Sequence, residues 1–307
     1  MAQLIKLKDY ISRYETGMFR YPGQFIRMKK EQYDKLIYRW EQEKHEIDSQ
    51  ESISTDLEED KKSFFNRLFN RKKVIDVWDD EEEQTNLPEN EQDLKYYFLD
   101  EVFSTQLKWA SSTLQEVSYF DQSYERDPWL KYFLQRFPDT YLVFYQPIFK
   151  LKKATIEGEV IILTPTELMC ISILDRRYSN TTFKPIDDRK WLAIEGGQEK
   201  TIVNPVIDLK RMERLLKSIL DYYELDFPVK KYLFAKSNQI AHQSVPYQTE
   251  FIDQDDYESW FQKQRQSTYP IKAQQLKVGE KLLEHTQRTY VKRPVWVEDE
   301  SPVDEGS

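Results

Sequence analysis

Few side chains in this chain could do chemistry, and most of them are carboxylates and cations. Glu157-Gly158-Glu159 stands directly before the apolar run Val160-Ile161-Ile162-Leu163. A carboxylate there could help hold a hard cation such as Mg²⁺; the plainer account is a pair of surface charges where a strand begins. Two basic groups could track a phosphate backbone: Lys150, Lys152 and Lys153, and then Lys210, Arg211, Arg214 and Lys217. A solvated surface is the plainer account of these cations. Single-strand binding would need exposed aromatics among the cations, and here the Tyr and Phe residues fall mostly on expected apolar faces. The single cysteine, Cys170, lies between Met169 and Ile171 and reads as an inert core thiol with no disulfide partner. His45, His242 and His285 are far apart and form no HExxH or HxH pattern, so no zinc site is expected. There is no GxSxG elbow, and with seven glycines no phosphate-cradling loop.

The elements that must position these groups follow from charge and periodicity. The chain has 307 residues with 39% hydrophobic and 14% aromatic content, ample for a packed core. Its net charge of −9 is unevenly spread, because residues 45–92 carry 15 acidic and 6 basic groups. Four segments are expected: a helical extension at 1–44, an acidic linker or insertion at 45–92, a compact core at 93–275, and a C-terminal helix with an acidic tail at 276–307. In the first, Phe25, Ile26, Tyr33, Leu36, Ile37 and Trp40 recur near helical spacing, giving an amphipathic helix over 24–44. Within the linker, residues 61–73 place Phe64, Phe65, Leu68 and Phe69 on one helical face flanked by cations. That segment could dock in a partner groove, touch an anionic membrane surface, or fold back on the core as one helix.

The expected core opens with a helix marked by Leu94, Tyr97, Phe98, Val102 and Leu107, followed by another over 124–137 with Pro128 near its first turn. Tyr141–Tyr145, Val160–Leu163 and Leu168–Leu174 read as three strands. Asn204-Pro205 starts a long helix with a buried stripe from Leu209 to Tyr223, and Tyr232–Ala235 returns as a strand. Helices near 255–264 and 276–287 precede the tail from Glu298 to Ser307. The fold class is therefore α/β, in the order helix, three strands, helix, strand. No stretch approaches the roughly 18 apolar residues of a membrane helix, and the first residues have no signal-peptide core, which leads us to expect a cytoplasmic protein.

With the acid before the second strand, the Thr164-Pro165-Thr166-Glu167 turn and the later Asn204-Pro205 helix start, residues 93–265 resemble the nuclease-related domain (NERD) family. That family is similar to the PD-(D/E)XK restriction-endonuclease-like fold. The resemblance implies a restriction-endonuclease-like core with two carboxylates on adjacent strands around Mg²⁺ and a lysine beside them. Glu157 or Glu159 would supply the first carboxylate, and Glu101 resembles the family's N-terminal acid. The second acid falls on Ser172 and the lysine on Leu174, a degenerate site. Asp175, Lys190, Glu195 or Lys200 would have to replace them, although Asp175 would point to the other face of a regular strand. The sequence thus predicts a non-catalytic module that binds nucleic acid or a protein partner, without cofactor. The alternatives are a Mg-dependent nuclease with relocated catalytic residues and a regulatory interaction protein with no nucleic-acid role.

Overall fold

The computed structural model describes residues 1–51, 87–151, 154–175, 181–241 and 246–293. The 61–73 segment, Lys152, Lys153, His242 and the acidic tail lie outside them. The chain divides into two compact units, Met1–Arg27 with Glu101–Ser307, and Met28–Asp100.

The larger unit is built on a six-stranded mixed sheet in the order β1-β3-β6-β7-β11-β13. These strands are β1 (Gln3–Leu7), β3 (Leu142–Tyr145), β6 (Val160–Leu163), β7 (Leu168–Ile173), β11 (Val229–Phe234) and β13 (Thr249–Ile252). β3, β6 and β7 form an antiparallel meander, whereas β1 is parallel to β3, and β11 is parallel to both β7 and β13. The central strands are buried on both faces, which is why they read as continuous apolar runs instead of alternating ones. On one face, Val143, Ile162, Met169, Ile171, Tyr232 and Phe234 join an aromatic-rich core with Phe133 of α3 (Pro128–Arg136) and Trp260 and Phe261 of α5 (Tyr257–Arg265). On the other face α4 (Val206–Tyr222) packs on β7 and β11 and against α6 (Ala273–Glu284).

Local chemistry sets the helix starts. Asp127 caps α3 by accepting from the N–H groups of Trp129 and Leu130 at 2.9 and 3.0 Å, with Pro128 in the first turn. The expected helix over 124–137 is shorter because Gln122–Arg126 forms a 3-10 turn ahead of that cap. Asn204 accepts from the Val206 N–H at 2.9 Å where α4 begins, as its position before Pro205 predicts.

A second sheet, absent from the sequence reading, runs β10-β9-β8-β12. It comprises β8 (Thr182–Pro185), β9 (Lys190–Glu195), β10 (Gln198–Val203) and β12 (Gln239–Ile240). Gly196 and Gly197, at φ +56° and +82°, make its two-residue hairpin turn. The remaining strands form two small ribbons: β4 (Ile148–Lys150) with β5 (Thr155–Glu157), and β2 (Glu116–Val117) with β14 (Val291–Lys292).

The smaller unit holds most of α1 (Tyr21–Glu51) and the first part of α2 (Glu91–Trp109). Tyr33 and Phe98 meet there with ring centroids 5.0 Å apart, and the Trp40 indole donates to the Pro88 carbonyl at 2.6 Å. The segment boundaries expected from composition divide the chain differently from this. Residues 3–7, the opening of the segment expected as a separate extension, form β1 and pair with β3 in the central sheet. Residues 45–51 continue α1, and Asn90 caps α2 through the Asp93 N–H at 2.8 Å; a mostly polar stretch is helical at both margins because composition measures burial, not backbone hydrogen bonding. Among the described residues no helix is long and apolar enough to cross a membrane.

Candidate active site

Several strand ends meet at one cleft. β1 and β3 finish side by side, β6 begins beside β3, and β7 ends antiparallel to it; the first turns of α4 close the far wall. The resulting open cleft, of about 480 Å³, is lined by Lys8, Gln146, Glu157, Glu159, Ser172, Asp208 and Arg211, with Gly158, Cys170 and Met212 among the residues beneath. Its floor is tight at Gly158, where a Cβ would come within 3.0 Å of Met212 and 3.3 Å of Pro147. A side chain there would have to displace the end of the Met212 side chain and crowd the Pro147 ring.

Lys8 and Gln146 directly follow the parallel strands β1 and β3, and both adopt the left-handed conformation, at φ 48° and 49°. For residues carrying a Cβ this costs on the order of 1–2 kcal/mol each. The backbone holds them there: Lys8 N–H donates to the Tyr145 carbonyl at 2.9 Å and Gln146 N–H to the Glu159 carbonyl at 2.7 Å. Tyr124 donates its hydroxyl hydrogen to the Gln146 Oε1 at 2.9 Å, fixing the amide. Strain at two adjacent strand ends lining one cleft turns both side chains out of the sheet and toward the opening.

Glu159 is one step beyond the Val160–Ile171 pairing, opposite Ser172. Its carboxylate accepts from the Ser172 hydroxyl and the Ile173 N–H. It opens to solvent through the mouth of the cleft, with protein on its other sides. Glu159 is exposed at the cleft mouth, and the protein crowded around its other sides raises its affinity for a proton above that of an ordinary glutamate, a shift the two hydrogen bonds only partly offset and the nearby Asp208 reinforces. Arg211 pairs with Asp208 at 3.3 Å, but both are more than half exposed, so the pair is weak and the guanidinium can turn to a bound anion.

The structure therefore gathers Glu157, Glu159, Ser172 and Arg211 and scatters the other expected residues. Glu101 lies on an exposed face of α2, outside the cleft lining. Leu174 is buried just past β7, its N–H donating to the Phe234 carbonyl at 2.8 Å. Asp175 cannot substitute for the missing acid because its carboxylate accepts from the N–H and hydroxyl of Ser237 at 2.9 and 3.2 Å. Lys190, Glu195 and Lys200 belong to the second sheet. Lys210 and Arg214 are exposed on α4, while Lys217 is held by Glu213 at 2.9 Å and Gln248 at 3.1 Å. Lys150 lines a different pocket. Sequence reasoning missed Lys8, Gln146 and Asp208; the signal was a polar residue immediately after an apolar strand, and an acid in the first turn of a capped helix.

Among the described residues no group of three or more His, Cys, Asp and Glu side chains is placed to hold a metal ion. The two-carboxylate Mg²⁺ site that the family resemblance implies lacks its second acid here, because that position is Ser172.

No family model matches this chain, and no solved structure does. A curated relative from Geobacillus stearothermophilus, named RNA 2',3'-cyclic phosphodiesterase, is 35% identical over 113 residues, 34% of this chain and 36% of the relative. The chain thus spans about a third of the length of the relative it matches. This likeness to a protein named for catalysis overturns the expectation of a non-catalytic binding, scaffold or regulatory module. That expectation rested on the missing acid and lysine at Ser172 and Leu174, and took no account of Lys8, Gln146 and Asp208, which line the same cleft.

Proposed function

We propose that this chain is a phosphodiesterase of RNA chemistry, hydrolysing a 2',3'-cyclic phosphate in the Glu159 cleft. The observation that carries the reading is a carboxyl of raised proton affinity facing an open cleft that is also lined by two cations, Lys8 and Arg211. Lys8 and Arg211 receive the anionic phosphate oxygens. Glu159, ionised, takes a proton from the attacking water as a P–O bond forms, then returns it to the ribose oxygen as the P–O bond to that oxygen breaks. One water is consumed and a ribose monophosphate ester remains. A carboxyl with a proton affinity nearer neutrality suits both halves of this exchange. Gln146, fixed by Tyr124, offers an amide donor to the phosphate, and the strain at Lys8 and Gln146 is of the kind that active sites retain.

The restriction-endonuclease-like core and kinship with the nuclease-related domain belong to the same reading. Supporting them is the order α3, antiparallel β3-β6-β7, crossover α4, then β11 parallel to β7. The catalytic route described needs side chains alone. The test is hydrolysis of a nucleoside 2',3'-cyclic phosphate, followed by ³¹P NMR with and without Mg²⁺. Turnover without added metal and its loss in Glu159→Gln are expected; no turnover in either condition, or full activity in Glu159→Gln, would overturn the reading.

A further inference from the structure

A second concavity opens at the far end of the ribbon that borders the cleft. Ile148 and Glu157, paired at one end of the β4–β5 hairpin, line the Glu159 cleft; Lys150 and Thr155, paired at the other, line a pocket of about 560 Å³. The opposite wall of that pocket is Glu284, Thr286, Gln287, Arg288 and Tyr290. The two walls are joined as strands are: Lys150 N–H donates to the His285 carbonyl at 2.8 Å and Gln287 N–H to the Ile148 carbonyl at 2.7 Å. Ile148 and Lys150 are two residues apart on β4, roughly 7 Å at a rise of about 3.3 Å per residue, so the cleft and the pocket border the same short strand.

The chemistry of the pocket suits a nucleotide. Lys150 is an exposed cation at the ribbon end, Tyr290 presents an aromatic ring that is 42% exposed, and Thr155 and Gln287 supply hydrogen-bonding groups. The acids nearby are already met: Glu284 takes Lys281 at 2.6 Å and the Tyr223 hydroxyl at 3.0 Å, and Glu15 takes Arg288 at 2.8 Å. Base stacking on an exposed aromatic beside a phosphate-binding lysine is how proteins hold single strands without reading sequence.

We propose that this pocket is a second subsite of the Glu159 cleft, holding the nucleotide next to the one hydrolysed, so that the substrate is the end of an RNA strand and not a mononucleotide. The inference rests on the hydrolytic reading above and names its substrate class. Its test compares binding of a labelled hexaribonucleotide carrying a 3'-phosphate with that of a nucleoside 3'-monophosphate at low salt, together with hydrolysis of the corresponding cyclic phosphates. The hexamer is expected to bind at least tenfold tighter, and Lys150→Ala combined with Tyr290→Ala to erase that advantage while leaving mononucleotide affinity and mononucleotide turnover within twofold. Equal affinity for the two ligands, or an advantage that survives the double substitution, would overturn the subsite. Should neither cyclic phosphate be hydrolysed, the catalytic reading fails separately, and the binding comparison still decides the pocket.

Discussion

Two charged clusters sit under α4 on the same face of the sheet, and they have opposite designs. In the inner one, Lys231 of β11 is 3% exposed at its side chain and pairs with Glu213 of α4 at 2.5 Å. Burial would raise the proton affinity of Glu213, yet hydrogen bonds from Lys231 and Lys217 pull it below the usual glutamate range. In the outer one, Glu159 meets a hydroxyl and an N–H but no paired cation, and its proton affinity is raised. Cys170 lies between them, opposite Lys231 in the β7–β11 register and next but one to Ser172. The contrast teaches that a carboxylate whose charge is fully answered is a strut, and one left partly unanswered at an opening is free to exchange a proton.

The most direct way to break the comparison is to neutralise each carboxylate's cluster in turn. Glu159→Gln should lower kcat/KM for the cyclic phosphate by about 10²–10⁴, the usual range for a general base, while leaving circular dichroism intact and the urea midpoint no lower than the parent's. Lys231→Ala should do the reverse. It leaves Glu213 with Lys217 as its remaining cation and should cost about 1–3 kcal/mol in urea denaturation, with activity per folded molecule retained. Replacing the pair together, Lys231→Met with Glu213→Leu, should recover most of that loss. A large activity defect from the double variant would mean the inner cluster is part of the chemistry after all.

The sequence made the inner scaffold easier to read than the outer site, for a physical reason. Three core strands, α4 and β11 announce themselves through local patterns: apolar runs bounded by turns, and the Asn204-Pro205 cap. The second sheet did not: β10 is polar and largely solvent-facing, and the apolar residues of β8 and β9, with Phe183, Trp191 and Ala193 buried, come in short runs among charged and turn residues. Of the cleft, Glu159 was legible from its place before β6. Lys8 was not, since its role depends on β1 joining a strand more than 130 residues away, Leu7 pairing with Tyr145. Ser172, which the family resemblance puts at the second acidic position, supplies a hydrogen bond to Glu159, a contact visible only once β6 and β7 are paired.

The same comparison can be sharpened by pH, because the two glutamates contribute to stability with opposite sign. Glu159 binds protons more tightly folded than unfolded. Its protonated form is favoured by the fold, and stability falls as pH rises from about 4.3, the ordinary glutamate value, through its raised folded value. Glu213 is held low when folded, so its contribution is present above the unfolded value and is lost as pH falls through the depressed one. Urea midpoints measured from pH 3 upward should therefore show Glu159→Gln gaining on the parent with rising pH, and Glu213→Gln losing ground over the acid range just above Glu213's folded value. The activity of the parent should rise through a proton affinity above the ordinary carboxylate range, the position at which Glu159 ionises.

The smallest effect is expected at the residue between the clusters. Cys170 lines the floor of the cleft yet is only 1% exposed, and burial, with the charge of Glu213, pushes its thiol up to about 12. At pH 8 its thiolate is on the order of one part in ten thousand, too scarce for a nucleophile. Cys170→Ala should leave kcat/KM within twofold and cost about 1 kcal/mol, the removal of one buried group of methyl size. Native-state alkylation at pH 8 should be slower than in the unfolded chain by about a thousandfold or more, since the unfolded thiol ionises near 8.5. It should accelerate in Lys231→Ala, which unfolds more readily, but not in Glu159→Gln. Rapid alkylation of the native parent together with loss of activity would instead place the sulfur in the chemistry, and the boundary between strut and site would have to be redrawn through Cys170.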